Sequence, residues 1–260
     1  MSGGKLSDLR SGGLRLSDAQ VAAFHRDGFL AINALTDLAE VEELRALYDE
    51  MFRRASGFAA GDRIDLLSDA GRALLPQIMN PERYAPRLVQ GLAYRNATLI
   101  AHQLLGEGCE SMGNHAILKP AGLGAATPWH QDEAYWDPRH AHQALSIWMP
   151  LQPATLANGC MQFIPGSHRR DVLPHELIAA HSHGLRIVEA GTPGEATACE
   201  IPAAGATIHA GRTLHYAGPN LTDQPRRAVV YGFRVPPVVL PVPKNYPWQR
   251  PEWFSQEGVT

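Results

Sequence analysis

From Asn114 onward the chain is cut into short apolar or alternating runs separated by proline and glycine, and this limits the fold more than any other feature. The runs fall at 114–119, 144–151, 160–164, 185–189, 206–209 and 227–235. Helical spacing largely disappears there. Alternation is the pattern of a strand with one face in a core. Several short strands with turn signals between them point to a sandwich or barrel.

Ahead of this region the period changes. Ser17 followed by Gln20 is a capping-box pattern and predicts a helix that runs through His25 and stops at Gly28. Phe29 to Ile32 then reads as a short strand. Asp37, with Glu40 three residues on, caps a second helix. Leu38, Val41, Leu44, Tyr48 and Met51 make its apolar face, and Glu42, Glu43, Arg45 and Glu50 its solvated face. Residues 55–80 show no assignable pattern. Pro86 to Leu105 gives a further helical stretch, with Val89, Leu92, Ala93, Leu99 and Ile100 available for packing. Helices first and strands after describe an α+β chain with the helices on one side of the sheets.

With 260 residues and 45% hydrophobic content the chain can bury one substantial core. No internal repeat or interdomain linker is visible. The expected organisation is a flexible N-terminal arm over 1–16, rich in glycine and serine, and a single domain over 17–260.

The net charge of −3 argues against a nucleic-acid partner, and the basic run His168-Arg169-Arg170 is too short to track a phosphate backbone. Three widely spaced cysteines, Cys109, Cys160 and Cys199, form no disulfide framework or zinc knuckle, so a reducing, cytoplasmic setting is expected. No stretch approaches the roughly 18 apolar residues that cross a bilayer, and the first residues lack the apolar core of a signal peptide. Oligomeric state is not legible.

The strongest local signal is Pro128-Trp129-His130-Gln131-Asp132. On a strand, His130 and Asp132 would aim at one point. A neutral imidazole and a carboxylate suit ferrous iron when a third ligand completes one face of an octahedron. By itself His-x-Asp is a weak motif in a chain with 12 histidines. His215, between an apolar run and a Gly-Pro turn, is the candidate third ligand; His209, six residues earlier, competes with it but reads more readily as a core or strand-edge histidine. Arg226 and Arg227 follow at the start of an apolar run. The planar fork of an arginine matches the far carboxylate of an α-keto diacid. Alternation lets only one of the two face inward, and spacing alone does not choose.

Together, His130-Gln131-Asp132, the block Asn158-Gly159-Cys160-Met161…Ile164-Pro165-Gly166-Ser167-His168, and Leu214-His215…Pro219-Asn220…Arg226-Arg227 resemble the phytanoyl-CoA dioxygenase family. The opening Ser17-Asp18…Phe24…Asp27-Gly28-Phe29 is similar too. The resemblance runs from about residue 17 to about residue 235. It implies a double-stranded β-helix (jelly-roll) core with flanking, mostly N-terminal helices. It implies an Fe(II)- and 2-oxoglutarate-dependent dioxygenase that uses O2 to hydroxylate a C–H bond of a small-molecule metabolite, with release of succinate and CO2. By the same resemblance His130, Asp132 and His215 would hold iron. Arg226, rather than Arg227, would bind the far carboxylate of 2-oxoglutarate. Trp148 would lie near the co-substrate. His115, Lys119, Thr127 and Gln131 are looser co-substrate candidates, and Trp136 and Tyr135 substrate-side candidates. Many members carry a serine two residues after the distal histidine; here it is Ala217. Halogenating relatives lack the carboxylate, so Asp132 favours hydroxylation or desaturation.

Two other functions use the same residues. A divalent-metal hydrolase explains the ligands but gives Arg226 no role. A non-catalytic jelly-roll binding protein would keep the motif for structure. The histidine-rich segment 167–200, with His168, His175, His181 and His183, reads as a solvated loop or lid rather than a second metal site. Glu133, Arg212 and Arg234 could contact substrate, but each reads more readily as a surface or packing residue, and Trp129 as a packing residue.

Overall fold

Capping chemistry decides where the helices begin. In α1 (Asp18–Asp27) the Ser17 hydroxyl accepts from Gln20 N, the Gln20 side chain accepts from Ser17 N, and Gly28 closes the helix in a left-handed conformation. This computed structural model describes residues 13–69, 72–122, 125–179, 184–188 and 194–250. Strand β1 (Phe29–Ile32) leads to α2 (Leu38–Arg53), capped by Asp37. Val41, Leu44, Tyr48 and Met51 are buried as the spacing predicts, while Leu38 stays exposed.

The single helical stretch expected over 86–105 is two elements, a 3-10 turn at Pro86–Val89 and α3 (Leu92–Leu105). The break falls at Gly91, which offers no capping side chain. A carboxylate from another helix takes that role. Glu40 accepts from Leu92 N and Ala93 N, both at 2.8 Å, and from the Thr36 hydroxyl. A Cβ at residue 91 would sit 1.7 Å from Glu40 Oε1, so glycine is required for this approach. An anion at a helix N-terminus also meets the positive end of the helix dipole. Glu40→Ala is expected to destabilise the chain by about 2–3 kcal/mol, because two buried N–H groups lose their acceptor. Urea denaturation checks this; an unchanged midpoint would remove Glu40 as the cap.

Among the described residues most strands form two facing antiparallel sheets, and β3–β4 and β10–β11 make two separate two-stranded ones. Residues 55–80 contribute β2 (Arg63–Asp65), β3 (Ser68–Asp69), β4 (Arg72–Ala73) and β5 (Pro76–Met79). The main run follows as β6 (Glu110–Lys119), β7 (Thr127–His130), β8 (His140–Pro150), β9 (Met161–Phe163), β10 (His175–Leu177) and β11 (Leu185–Ile187). It ends with β12 (Thr197–Cys199), β13 (Ala206–Ala210), β14 (His215–Ala217) and β15 (Arg226–Val239). The large sheet has the order β1-β13-β8-β15-β6-β5-β2, and the small one β12-β9-β14-β7.

Alternation sorts the two faces of the large sheet. Leu145, Ile147 and Met149 of β8, Ile208 of β13 and Val229, Tyr231 and Phe233 of β15 join the helix-side core with Leu44, Met51 and Ile100. Trp148 and Ala228 point the other way and pack with Cys160, Met161, Phe163, Cys199 and Ala217 of the small sheet and its flanks. This is a jelly roll with helices on one side, as expected.

Two local expectations change. Leu16 is buried, its N–H donates to Gln103 Oε1 at 2.8 Å, and Leu14 N donates to Asn96. Residues 13–16 of the supposed arm therefore pack on α3, and residues 1–12 lie outside the described residues. The segment 167–200 contains a 3-10 turn, the β10–β11 hairpin and β12. His175 is buried rather than solvated; His181 and His183 lie outside the described residues. Three-residue strands are too short to show a period. No helix among the described residues is long and apolar enough to cross a membrane.

Candidate metal centre and co-substrate pocket

His130 and His215 are register partners where β7 and β14 pair in the small sheet. Their ring centroids lie 4.1 Å apart. β7 ends at His130, and Asp132 opens a 3-10 turn, so the two do not share a strand as the motif alone suggests. Gln131 between them keeps an extended backbone, which brings both side chains to one point. His130 Nδ1 lies 2.8 Å from Pro128 O, and His215 Nδ1 lies 2.9 Å from Thr213 O. Carbonyl partners put the proton on Nδ1 and free Nε2. The two Nε2 atoms stand 3.7 and 3.5 Å from Asp132 Oδ1. All three donor atoms lie within 4.8 Å of one another.

The charge states suit a divalent metal. Burial lowers the proton affinity of His130 and His215, and His130 and His209 lower that of His215 further. Burial pushes the Asp132 carboxyl up, but His215, His209 and His130 outweigh it and hold it well below the carboxylate range. Two neutral imidazoles and one carboxylate follow, a donor set that suits iron(II).

Beside this cluster lies a cationic recess. Arg226 on β15 pairs in register with Lys119 on β6. Both are buried, Arg226 to 2% exposure and Lys119 to 1%. Among the described residues Arg226 Nε and Nη1 have no hydrogen-bond partner, and the guanidinium lies over the Trp148 ring at 5.2 Å. Burial lowers the Arg226 pKa to about 10. Lys119 Nζ donates to the carbonyls of Ala217 and Gly218; burial first, then Arg226, hold it well below the usual lysine range. A buried guanidinium with free nitrogens, set beside a buried amine, is costly unless an anion joins them. A carboxylate is the group they fit. Arg227 faces the opposite side of the sheet and binds Asp49 with two nitrogens at 2.5 and 2.8 Å. Between them, Tyr48 of α2 donates its hydroxyl to Ile117 O and Ala228 O, two residues short of Lys119 and two past Arg226. The helix layer thus pins the pocket strands.

Residues 24–228 match the phytanoyl-CoA dioxygenase (PhyH) family. The chain belongs to that family. Among solved structures, EvdO2 from Micromonospora carbonacea var. aurantiaca, complexed with 2-oxoglutarate, is 41% identical with a TM-score of 0.81, over 92% of this chain and 98% of that one. A probable alpha-ketoglutarate-dependent hypophosphite dioxygenase of Stutzerimonas stutzeri is 28% identical over 62% of this chain and 57% of its own length. The ectoine dioxygenase of Bordetella parapertussis is 32% identical over 60% of this chain and 50% of its own. The match therefore spans about half the length of these two curated relatives.

The looser candidates fall in different places. His115 lies on β6 between Met79 and Val230, on the same strand face as Lys119, and burial lowers its pKa. Thr127 on β7 pairs with Ala217, the position where many phytanoyl-CoA dioxygenase family members carry serine. Gln131 is fully buried, but its amide donates to Arg212 O and accepts from Leu173 N. That amide ties two loops together. Tyr135 stands edge-on to His130 at 6.2 Å, and its hydroxyl accepts from Leu185 N. Trp136 packs on His142, and its indole fills the space beside Gly211, where a Cβ would come within 2.3 Å of the ring.

Glu133 is buried and holds Arg212 at 2.8 Å and Lys244, so it is no surface residue. Lys244, with Trp248 and Gln249 on Ala134 O, straps the C-terminal region across the turn that carries Asp132. No spacing signal links residues so far apart. Arg234 pairs with Glu110 on the surface, and Trp129 stacks on Tyr216 as a packing residue. His209 and Ser146 both reach Asp132 Oδ2; the inward alternation of 207 and 209 on β13 is the one sequence hint of it.

Proposed function

We propose that this chain is an Fe(II)- and 2-oxoglutarate-dependent dioxygenase that hydroxylates a C–H bond of a small-molecule metabolite and releases succinate and CO2. The observation that carries this reading is the buried, unpartnered Arg226 beside the His130, Asp132 and His215 cluster. A metal site alone serves many chemistries; a metal site with an empty-handed buried guanidinium calls for an anionic co-substrate. A divalent-metal hydrolase leaves that guanidinium without a role, and so does a non-catalytic jelly roll.

In this reading His130, Asp132 and His215 hold the iron. Bound iron(II) with 2-oxoglutarate and O2 supplies the oxidising power for C–H cleavage. The residues of the chain bind and orient. Arg226 fixes the far carboxylate of 2-oxoglutarate, Lys119 adds positive charge beside it, and Trp148 walls the recess. The ionised Asp132 offsets part of the metal's charge. Tyr135, edge-on to His130, and Trp136, at the end of the turn that carries Asp132, are the substrate-side residues, and His115 and Thr127 are the further co-substrate residues. Gln131 keeps the loops around the first ligand in place. The relatives' named substrates, hypophosphite and ectoine, support a small molecule here. Asp132 supports hydroxylation over halogenation. Three free cysteines support a reducing, cytoplasmic setting, and a single oxygenase domain, with residues 13–16 packed on it, is the working unit.

The test is direct. Anaerobic addition of iron(II) and 2-oxoglutarate to the full chain is expected to produce the weak charge-transfer absorption of the chelate, and O2 is then expected to yield succinate. A folded, iron-loaded chain that shows neither, or a zinc form that hydrolyses esters or phosphates at high rate, would overturn the proposal.

A further inference from the structure

The second oxygen of Asp132 is held from the opposite sheet. His209 on β13 and Ser146 on β8 are register partners, so their side chains leave adjacent strands side by side. Both reach the same atom. Ser146 Oγ donates to Asp132 Oδ2 at 2.8 Å, and His209 Nε2 lies 3.2 Å from it. His209 is 3% exposed and wedged between the rings of His215 and Phe163, at 4.4 and 5.4 Å.

His209 Nδ1 is buried without a hydrogen-bond partner among the described residues. The single proton of a neutral imidazole belongs on the nitrogen that has an acceptor, so His209 donates through Nε2. A histidine kept only for packing would carry that orphaned nitrogen at a cost that leucine or phenylalanine avoids. The cost is offset only if the Nε2 bond matters. With Oδ2 committed to two donors, Oδ1 alone turns to the imidazoles of His130 and His215. The carboxylate then cannot swing to chelate with both oxygens.

We infer that His209 and Ser146 form a two-donor clamp that positions Asp132 as a one-oxygen metal ligand. This role rests on the iron reading above, and the clamp acts through Asp132 rather than on any reactant.

The test titrates iron(II) anaerobically into the full chain, with 2-oxoglutarate present so that the chelate absorption reports occupancy. His209→Leu is expected to weaken iron binding roughly 10–100-fold, the usual cost of losing an outer partner. Ser146→Ala removes one of two donors and is expected to weaken it about threefold to tenfold. His209→Gln, which returns an N–H donor of similar reach, is expected to stay within about threefold of wild type. The affinity for 2-oxoglutarate at saturating iron is expected to hold in all three variants, since Arg226 and Lys119 are untouched.

Iron affinities of His209→Leu and Ser146→Ala within about twofold of wild type would overturn the clamp. So would equal losses in His209→Gln and His209→Leu accompanied by equally lowered melting temperatures, which would assign His209 to packing. Should His209→Leu fail to fold, Ser146→Ala decides, because it deletes a single atom. A wild-type chain that takes up no iron would overturn the underlying reading and the clamp with it; wild-type uptake with unaffected variants would overturn the clamp alone.

Discussion

Asp132→Ala is expected to abolish 2-oxoglutarate turnover, with substrate-dependent succinate falling to background. The carboxylate is the only anion among the three candidate ligands, and its Oδ1 stands 3.7 and 3.5 Å from the two imidazole nitrogens. Losing a ligand should exceed the roughly 10–100-fold loss in metal affinity that follows removal of an outer partner. Asp132→Asn sharpens the experiment. It keeps the shape of the side chain and an acceptor for Ser146 while removing the charge. It is expected to fold, melt near the wild-type temperature without metal, and still fail to develop the iron(II)–2-oxoglutarate absorption. Wild-type succinate formation by either variant would remove Asp132 from the ligand set.

Arg226→Ala should raise the 2-oxoglutarate requirement by about 2–5 kcal/mol, or roughly thirtyfold to several thousandfold, because it strips the main partner from a buried carboxylate. The same change in Arg227, whose guanidinium is spent on Asp49 at the helix side, should leave that requirement within about threefold of wild type. Thermal melting offers an independent readout. Co-substrate binding stabilises the native state by mass action, so iron(II) with 2-oxoglutarate is expected to raise the wild-type Tm and not that of Arg226→Ala. Without co-substrate, Arg226→Ala relieves a buried cation that has unpartnered nitrogens, so its Tm should not fall as it would for loss of a satisfied ion pair. The reverse pattern between the two arginines would move the role to Arg227.

The comparison of these neighbours shows how far local pattern reaches. Alternation states that only one of Arg226 and Arg227 enters the barrel, and it cannot say which, because either phase satisfies a two-residue period. The structure resolves it through the ladder: Arg226 pairs with Lys119, and Val229, Tyr231 and Phe233 take the helix side with Arg227. The His130 and Asp132 motif is legible in the sequence, although a 3-10 turn rather than a continuous strand presents Asp132. Residues 55–80 showed no pattern because two- to four-residue strands are shorter than any period that could reveal them.

What the amino-acid order determined by itself is whatever depends on near neighbours: the caps at Ser17 and Asp37, the buried face of α2, the alternating runs after Asn114, and the residue types able to bind a metal and a carboxylate. Tertiary structure alone decided which distant residues share a surface. Glu40 at the start of α3, Lys119 beside Arg226, Lys244 on Glu133, and His209 with Ser146 on Asp132 are all of this kind. The reason is that strand register and helix docking are set by hydrogen bonds and packing between segments far apart in the chain, and no local period encodes those distances.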